Sequence, residues 1–484
     1  MASLQENVQT IKDSVARMKV AAELPVTATL EELTTKVEEG GSSGGGSSNV
    51  ENGLLKQYKA NIESISANTF IDFVTSYKFK SYSELVGTAA YSRIFNIDRF
   101  RNNKIIGVFG SKIAIYNYED DTLVEEFIST NLLTASSSDT NFHIIQPITD
   151  NLILFINGSS GYSGTGYLVE ISDNNVCSIV ATISSIATNI IKTHCVIKNN
   201  IAYIHLLGYI DASRAYAGIK CLEINLNDYT YSLGTQFTVR EVGYNSTYQG
   251  LAEIINDNTF IYNVIYSNSL YITKVTFDYD TSTYTKKSYS SLSGFTDYSC
   301  INWYDEQRGF IIYNTYENSV YKLNWAYIDL GTGTTVSLPS GGIIDEQTTT
   351  WSYLTPYKVN NSCFILTCNS PTNKNFTSCR VFRGNIDTKE LSYGMEFVFE
   401  VDTSITTKPK YYNVEFERQA CAIMNDTSFA FTVASYMGLM KIDGFDIIQT
   451  NGDEMRVKVS TGIIKGITKT ECTSEITGDV WVLI

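Results

Sequence analysis

Asn151-Leu152-Ile153-Leu154-Phe155 and Asn200-Ile201-Ala202-Tyr203-Ile204 share one design, a turn residue followed at once by a short apolar run. Asn forms turns because its side chain bonds nearby backbone and it tolerates the left-handed conformation. The run behind it is rich in Ile, Leu, Phe and Tyr and has the length of a strand rather than a helix. The same element stands upstream at Asn103-Lys104-Ile105-Ile106-Gly107-Val108. Downstream it recurs at Asn258-Thr259-Phe260-Ile261-Tyr262, Arg308-Gly309-Phe310-Ile311-Ile312, Asn361-Ser362-Cys363-Phe364-Ile365 and Asp426-Thr427-Ser428-Phe429-Ala430. Successive anchors lie 48, 49, 58, 50, 53 and 65 residues apart.

A second element follows each copy in phase, a strand that ends in an acidic or Asn turn. Its instances are Tyr118-Glu119-Asp120, Ile171-Ser172-Asp173, Asn227-Asp228, Phe277-Asp278, Ile328-Asp329, Ile386-Asp387 and Ile442-Asp443. Two distinct elements that keep phase over seven periods of about 50 residues define a repeat unit of four short strands. Four-stranded units of this length are propeller blades, whose closure into a ring protects the sheet edges. The expected fold is therefore all-β, an about seven-bladed β-propeller over residues 88–453. The competing arrangement, a long antiparallel sandwich pair, requires the two spacings to coincide by accident.

Composition agrees. Only 18% of the 484 residues are charged, 12% are aromatic, 33 are tyrosine and six are proline, the profile of an ordered β-rich chain. A net charge of −15 disfavours nucleic acid and anionic membranes as partners. No apolar run reaches the length of a membrane-spanning helix. Met1–Gln9 lacks a basic region followed by an apolar stretch, so no secretory signal is expected and synthesis is expected in a cytoplasm. The nine cysteines are scattered singly, which is not a disulfide framework. Cys363 and Cys368, the closest pair, fall on opposite faces of a strand and make a poor metal clamp.

Outward from the repeat, the N-terminal segment 1–39 reads as a helical anchor. Leu4, Val8, Ile11, Val15 and Met18 recur at steps of four and three, a short heptad seam expected to self-associate. Pro25 ends this helix, and a capping box from Thr29 to Glu32 starts a second one. Residues 40–49 contain GGSSGGGSS, a flexible linker. Leu54, Leu55, Tyr58 and Ile62 predict another helix within an aromatic-rich lead-in segment, 50–87. The tail 454–484 predicts a small β segment of its own or the completion of a blade.

Searches for chemistry return little. His143, His194 and His205 show no zinc-ligand spacing, and nucleophile-elbow and phosphate-loop patterns are absent. Asp345–Trp351 (DEQTTTW) faintly resembles the acidic turn of sialidases but lacks its central glycine. Asp278, Asp280 and Thr281 lie in too short a stretch for a calcium loop and read as a solvated turn. No catalytic, cofactor-binding or metal-binding residue and no cofactor is expected. Tyr229, Tyr231, Tyr244, Tyr248, Tyr284, Tyr289, Tyr411 and Tyr412 fall near expected loops or strand ends. Such rings either offer flat faces to sugars and protein partners or simply fill the sheet faces.

SLQENVQTIKDSVARMK (3–19) and LPVTATLEELTTKVEEG (24–40), with the Gly/Ser stretch behind them, resemble tail-fibre and appendage proteins of bacteriophages that infect Firmicutes. STGIIKGITKTECTSEITGDVWVLI (460–484) is similar to short β ends of structural proteins in such phages. The resemblance implies a virion part, a tail or baseplate appendage docked on other virion proteins by its N-terminal helices, homo-oligomeric, with the propeller projecting toward a glycan or protein of the host surface. It transfers no site residues. The alternatives are a head or tail decoration protein without a receptor role, and a propeller glycosidase acting on surface glycans.

Overall fold

A computed structural model describes 55–60, 64–73 and 76–78, most of 96–449, and 456–459, 466–468, 470–471 and 478–482. The heptad residues Leu4, Val8, Ile11, Val15 and Met18 and the linker 40–49 lie outside the described residues. The chain divides into two units, one built from residues 1–77 and 452–484 and the other from 78–451.

The larger unit is a ring of seven antiparallel blades. The first consists of β1 (Asn96–Phe100), β2 (Lys104–Phe109), β3 (Lys112–Glu119) and β4 (Thr122–Ile128), hydrogen-bonded in chain order. The others begin at Phe142, Ile190, Ala252, Ser299, Ser352 and Cys421 and repeat the same up-and-down order. In the third, fourth and sixth blades the fourth strand is broken into two pieces that pair with the same neighbour.

Strand period two explains the ring, because the inner strands bury both faces against successive blades, whereas the outermost ones are largely exposed. In the second blade Leu152, Leu154 and Ile156 pack on Ala202, Ile204 and Leu206 of the third. The alternate residues Ile153 and Phe155 pack on Ile106, Val108, Ile113 and Ile115 of the first. The runs after each anchor are therefore mostly apolar on both faces. Equivalent cores join the third and fourth blades, the fourth and fifth and the fifth and sixth. Closure is direct: Ile97, Ile105, Ala114, Tyr116 and Leu123 of the first blade share one core with Ala422, Met424, Ala430 and Leu439 of the seventh.

The two repeated sequence elements are the first and third turns of every blade. Their shared chemistry is an Asn or Asp whose side-chain oxygen accepts from the backbone N–H two residues on. Asn225, Asp228, Asn256, Asp278, Asp305, Asp329, Asn360, Asn385 and Asn425 all do so, at 2.8–3.1 Å. The stretch 278–281 is such a turn, as its length implied.

The smaller unit corrects the expectation for the lead-in segment. Leu55–Ala60 is a strand and not a helix. It pairs in parallel with Arg456–Val459 and antiparallel with Gly478–Val482. With Phe70–Phe73 and Gly466–Thr468 these strands close a five-stranded barrel. The tail therefore neither stands alone nor completes a blade, and the propeller is inserted in sequence between the two halves of this barrel. Thr468, fully buried, fastens the halves: its hydroxyl donates to the Ser66 carbonyl (2.6 Å) and accepts from the Thr69 N–H (2.9 Å).

Candidate functional site

Antiparallel blades have two rims. The first and third turns of each blade form one, stiffened by the Asn and Asp turns and by ties such as Arg101 Nε to the Asp150 carbonyl (2.7 Å) and Asn256 Nδ2 to Glu306 (2.8 Å). The hairpins between second and third strands and the blade-to-blade connections form the other.

On that second rim the hairpin tips of the fourth and fifth blades share a sequence pattern, although their turns are offset by one residue: Tyr266 pairs with Ser269, whereas Tyr316 pairs with Tyr321. Tyr266-Ser267-Asn268-Ser269-Leu270-Tyr271 and Tyr316-Glu317-Asn318-Ser319-Val320-Tyr321 match as Tyr-x-Asn-Ser-aliphatic-Tyr, 50 residues apart. Asn268 (φ 58°) and Asn318 (φ 51°) take the left-handed turn position that Asn tolerates. The leading tyrosines stand in solvent, Tyr266 44% and Tyr316 55% exposed. The trailing ones are half-buried; Tyr321 stands directly opposite Tyr316, whereas Tyr271 stands opposite Val264. Tyr321 lies 4.6 Å from Tyr316, centroid to centroid, and the Arg240 guanidinium sits 3.6 Å above the Tyr271 ring.

Beside the fifth-blade tip lies a group of charged side chains. Tyr316, Tyr321 and Gln347 form one cross-strand row, and Leu323 and Asp345 lie in the next row on the same face. Leu323 packs in the core shared with the sixth blade, which directs Asp345 toward that blade. There Arg380, 8% exposed, donates from Nη2 to Asp345 Oδ2 at 3.2 Å. Glu396 completes the group. Burial raises its pKa above the ordinary carboxyl value, and Asp345 adds to this, against the lowering by the Ser378 hydroxyl and Arg380. Its Oε1 is enclosed without a hydrogen-bond partner among the described residues. On the opposite face Lys322 pairs with Glu317 (3.0 Å) and Glu346 (3.8 Å).

The buried histidine is a different matter. His194 and His205 lie directly opposite each other on a hairpin of the third blade, which their 11-residue separation concealed. His205 is fully buried among Phe260, Phe277, Tyr279 and Tyr284. Its Nδ1 lies 2.7 Å from the Tyr284 hydroxyl and its Nε2 3.3 Å from that of Tyr279. Tyr279 donates its own proton to the Asp257 carbonyl, so it accepts from His205, which places the ring proton on Nε2 and leaves Nδ1 to accept from Tyr284. Desolvation, with the neighbouring His194, pushes the His205 pKa down to about 3. A neutral imidazole capped at both nitrogens is a structural group.

The eight described cysteines are free, and burial raises every one of their thiol pKa values. Among the described residues no group of three or more His, Cys, Asp and Glu could hold a metal ion, and no helix is long and apolar enough to cross a membrane. Of the tyrosines singled out from sequence, Tyr284 packs against a core and Tyr289 is buried within one, Tyr229 reaches Glu170, and Tyr231 is exposed. Tyr244, Tyr248, Tyr411 and Tyr412 lie outside the described residues. Sequence reading passed over Tyr266, Tyr316, Arg380 and Glu396. The hairpin repeat was a visible signal for the first two, whereas Arg380 and Glu396 belong to no motif and meet only through blade packing.

No protein-family model and no curated protein matches the chain. Among solved structures it is similar to a protein from Lactobacillus plantarum (10% identity, 72% of this chain and 98% of that one, TM-score 0.39). It is similar also to a hypothetical selenium-binding protein from Sulfolobus tokodaii (10%, 72% and 92%, 0.41). A third is Drosophila Plexin A in complex with Semaphorin 1b (8%, 76% and 88%, 0.42). Likenesses this remote assign neither activity nor ligand.

Proposed function

We propose that the chain is a non-catalytic binding head, a bacteriophage tail or baseplate appendage that is fastened to the virion by its N-terminal segment and contacts the host surface with its propeller. The observation that carries the reading is the pair of exposed tyrosines, Tyr266 and Tyr316, on hairpin tips of adjacent blades that share one sequence pattern. Exposed rings on rigid hairpins suit recognition, because they bring large contact area at little cost in conformational entropy. The resemblance of 3–19, 24–40 and 460–484 to phage appendages supplies the setting. Several copies held together by the Leu4–Met18 seam gain avidity from weak individual contacts.

The test is binding of the purified full-length chain to whole cells of candidate Firmicutes hosts, in competition with intact phage. Saturable binding that blocks phage adsorption is the expected result. Absence of binding to every host that adsorbs the phage overturns the receptor role in favour of a decoration protein.

A further inference from the structure

We propose that the mouth between the fifth and sixth blades, formed by Tyr316, Tyr321, Gln347, Asp345, Arg380 and Glu396, binds one ring of a neutral or amino saccharide. This rests on the binding-head reading and names the ligand class of the same rim.

A pyranose presents an apolar C–H face and a fringe of hydroxyls. The apolar face needs an exposed aromatic ring held from behind. Tyr316 meets this, at 55% exposure and supported by Tyr321 at 4.6 Å. The hydroxyl fringe needs planar groups that donate and accept in pairs. Gln347, Asp345 and Arg380 provide both kinds and project from the same face as the ring pair or across the mouth from it. Arg380 is nine-tenths buried and held by Asp345, so its guanidinium is set before any ligand arrives.

Charge narrows the class. On this face Asp345 and Glu396 outnumber Arg380, and the chain as a whole carries −15. Sialylated, sulfated and phosphorylated glycans are repelled, whereas neutral and amino sugars are not. A protein partner fits less well. Protein hot spots sit in apolar, fully desolvated surroundings, whereas here the rings are bordered by the Asp345–Arg380 ion pair.

The experiment exposes the full-length chain to an immobilised panel of neutral, amino, sialylated and sulfated oligosaccharides and to whole host cells. Wild type, Tyr316→Ala, Tyr316→Phe and Arg380→Lys are compared at matched melting temperature. Expected are retention on neutral or amino saccharides, a loss of about tenfold or more in Tyr316→Ala and in Arg380→Lys, near-normal retention in Tyr316→Phe, and no release of reducing ends. The proposal is overturned by absence of retention, by retention confined to anionic saccharides, or by equal retention in wild type and Tyr316→Ala. Cell attachment that persists in Tyr316→Ala overturns the saccharide site and leaves the attachment reading standing. Loss of attachment by wild type itself overturns the attachment reading.

Discussion

Replacing His205 by Gln is expected to flatten the acid side of the stability curve while lowering stability at neutral pH. Gln still offers a donor and an acceptor to Tyr279 and Tyr284 but does not titrate. At pH 7 the imperfect fit among Phe260, Phe277 and the two tyrosines costs about 1–3 kcal/mol. On acidification the sign reverses. Folded His205 stays neutral down to about pH 3, whereas the unfolded side chain protonates near pH 6.5. A depressed pKa gives stability that is complete above the unfolded value and is lost as pH falls toward the folded one, at about 1.4 kcal/mol per pH unit. Between pH 6 and 4.5 wild type should therefore lose about 2 kcal/mol more than His205→Gln. His194, whose pKa is depressed by burial in the same direction, contributes to both proteins and cancels in the difference. The assay is urea unfolding at closely spaced pH values, with the two midpoints compared at each. A gap that stays constant from pH 7 to 4.5 refutes the buried, doubly capped imidazole.

Three further expectations concern other parts of the chain. Thr468→Val removes the hydroxyl that joins Ser66 and Thr69. It should speed amide exchange in Phe70–Phe73 by the equivalent of about 1–3 kcal/mol, with propeller amides unchanged. Gly309→Ala places a Cβ 2.6 Å from the Asn302 carbonyl oxygen, a backbone atom, and should lower the propeller midpoint by about 1–3 kcal/mol in chemical denaturation. Ile11→Asp in the N-terminal seam should reduce the mass measured by light scattering to that of one chain while leaving propeller melting nearly unchanged.

The repeat was legible because turn chemistry is local. An Asn or Asp that bonds the N–H two residues on leaves the same trace in each blade, as Asn225, Asp278 and Asn425 show. The apolar runs behind the turns followed from burial on both faces, as with Ile153 and Leu154. The barrel was hidden because its partners are remote. Lys59 lies beside Arg456, and no window around Leu55–Ala60 contains the strands that settle its conformation. Its apolar spacing at Leu55 and Tyr58 suits a helix equally well. The mouth between the fifth and sixth blades was hidden for the same reason. Asp345 drew notice for a faint motif, yet what defines its surroundings is Arg380, a residue 35 positions away that only the packing of one blade on the next delivers.

The most direct test of the account is adsorption competition with the two rims altered separately. Full-length Tyr266→Ala/Tyr316→Ala carries changes on the hairpin rim, and Val176→Ala changes an exposed residue of the turn rim, 65% accessible. The account predicts that the double variant loses the ability to block phage adsorption while Val176→Ala keeps it, both melting like wild type. Equal blocking by the two variants contradicts it.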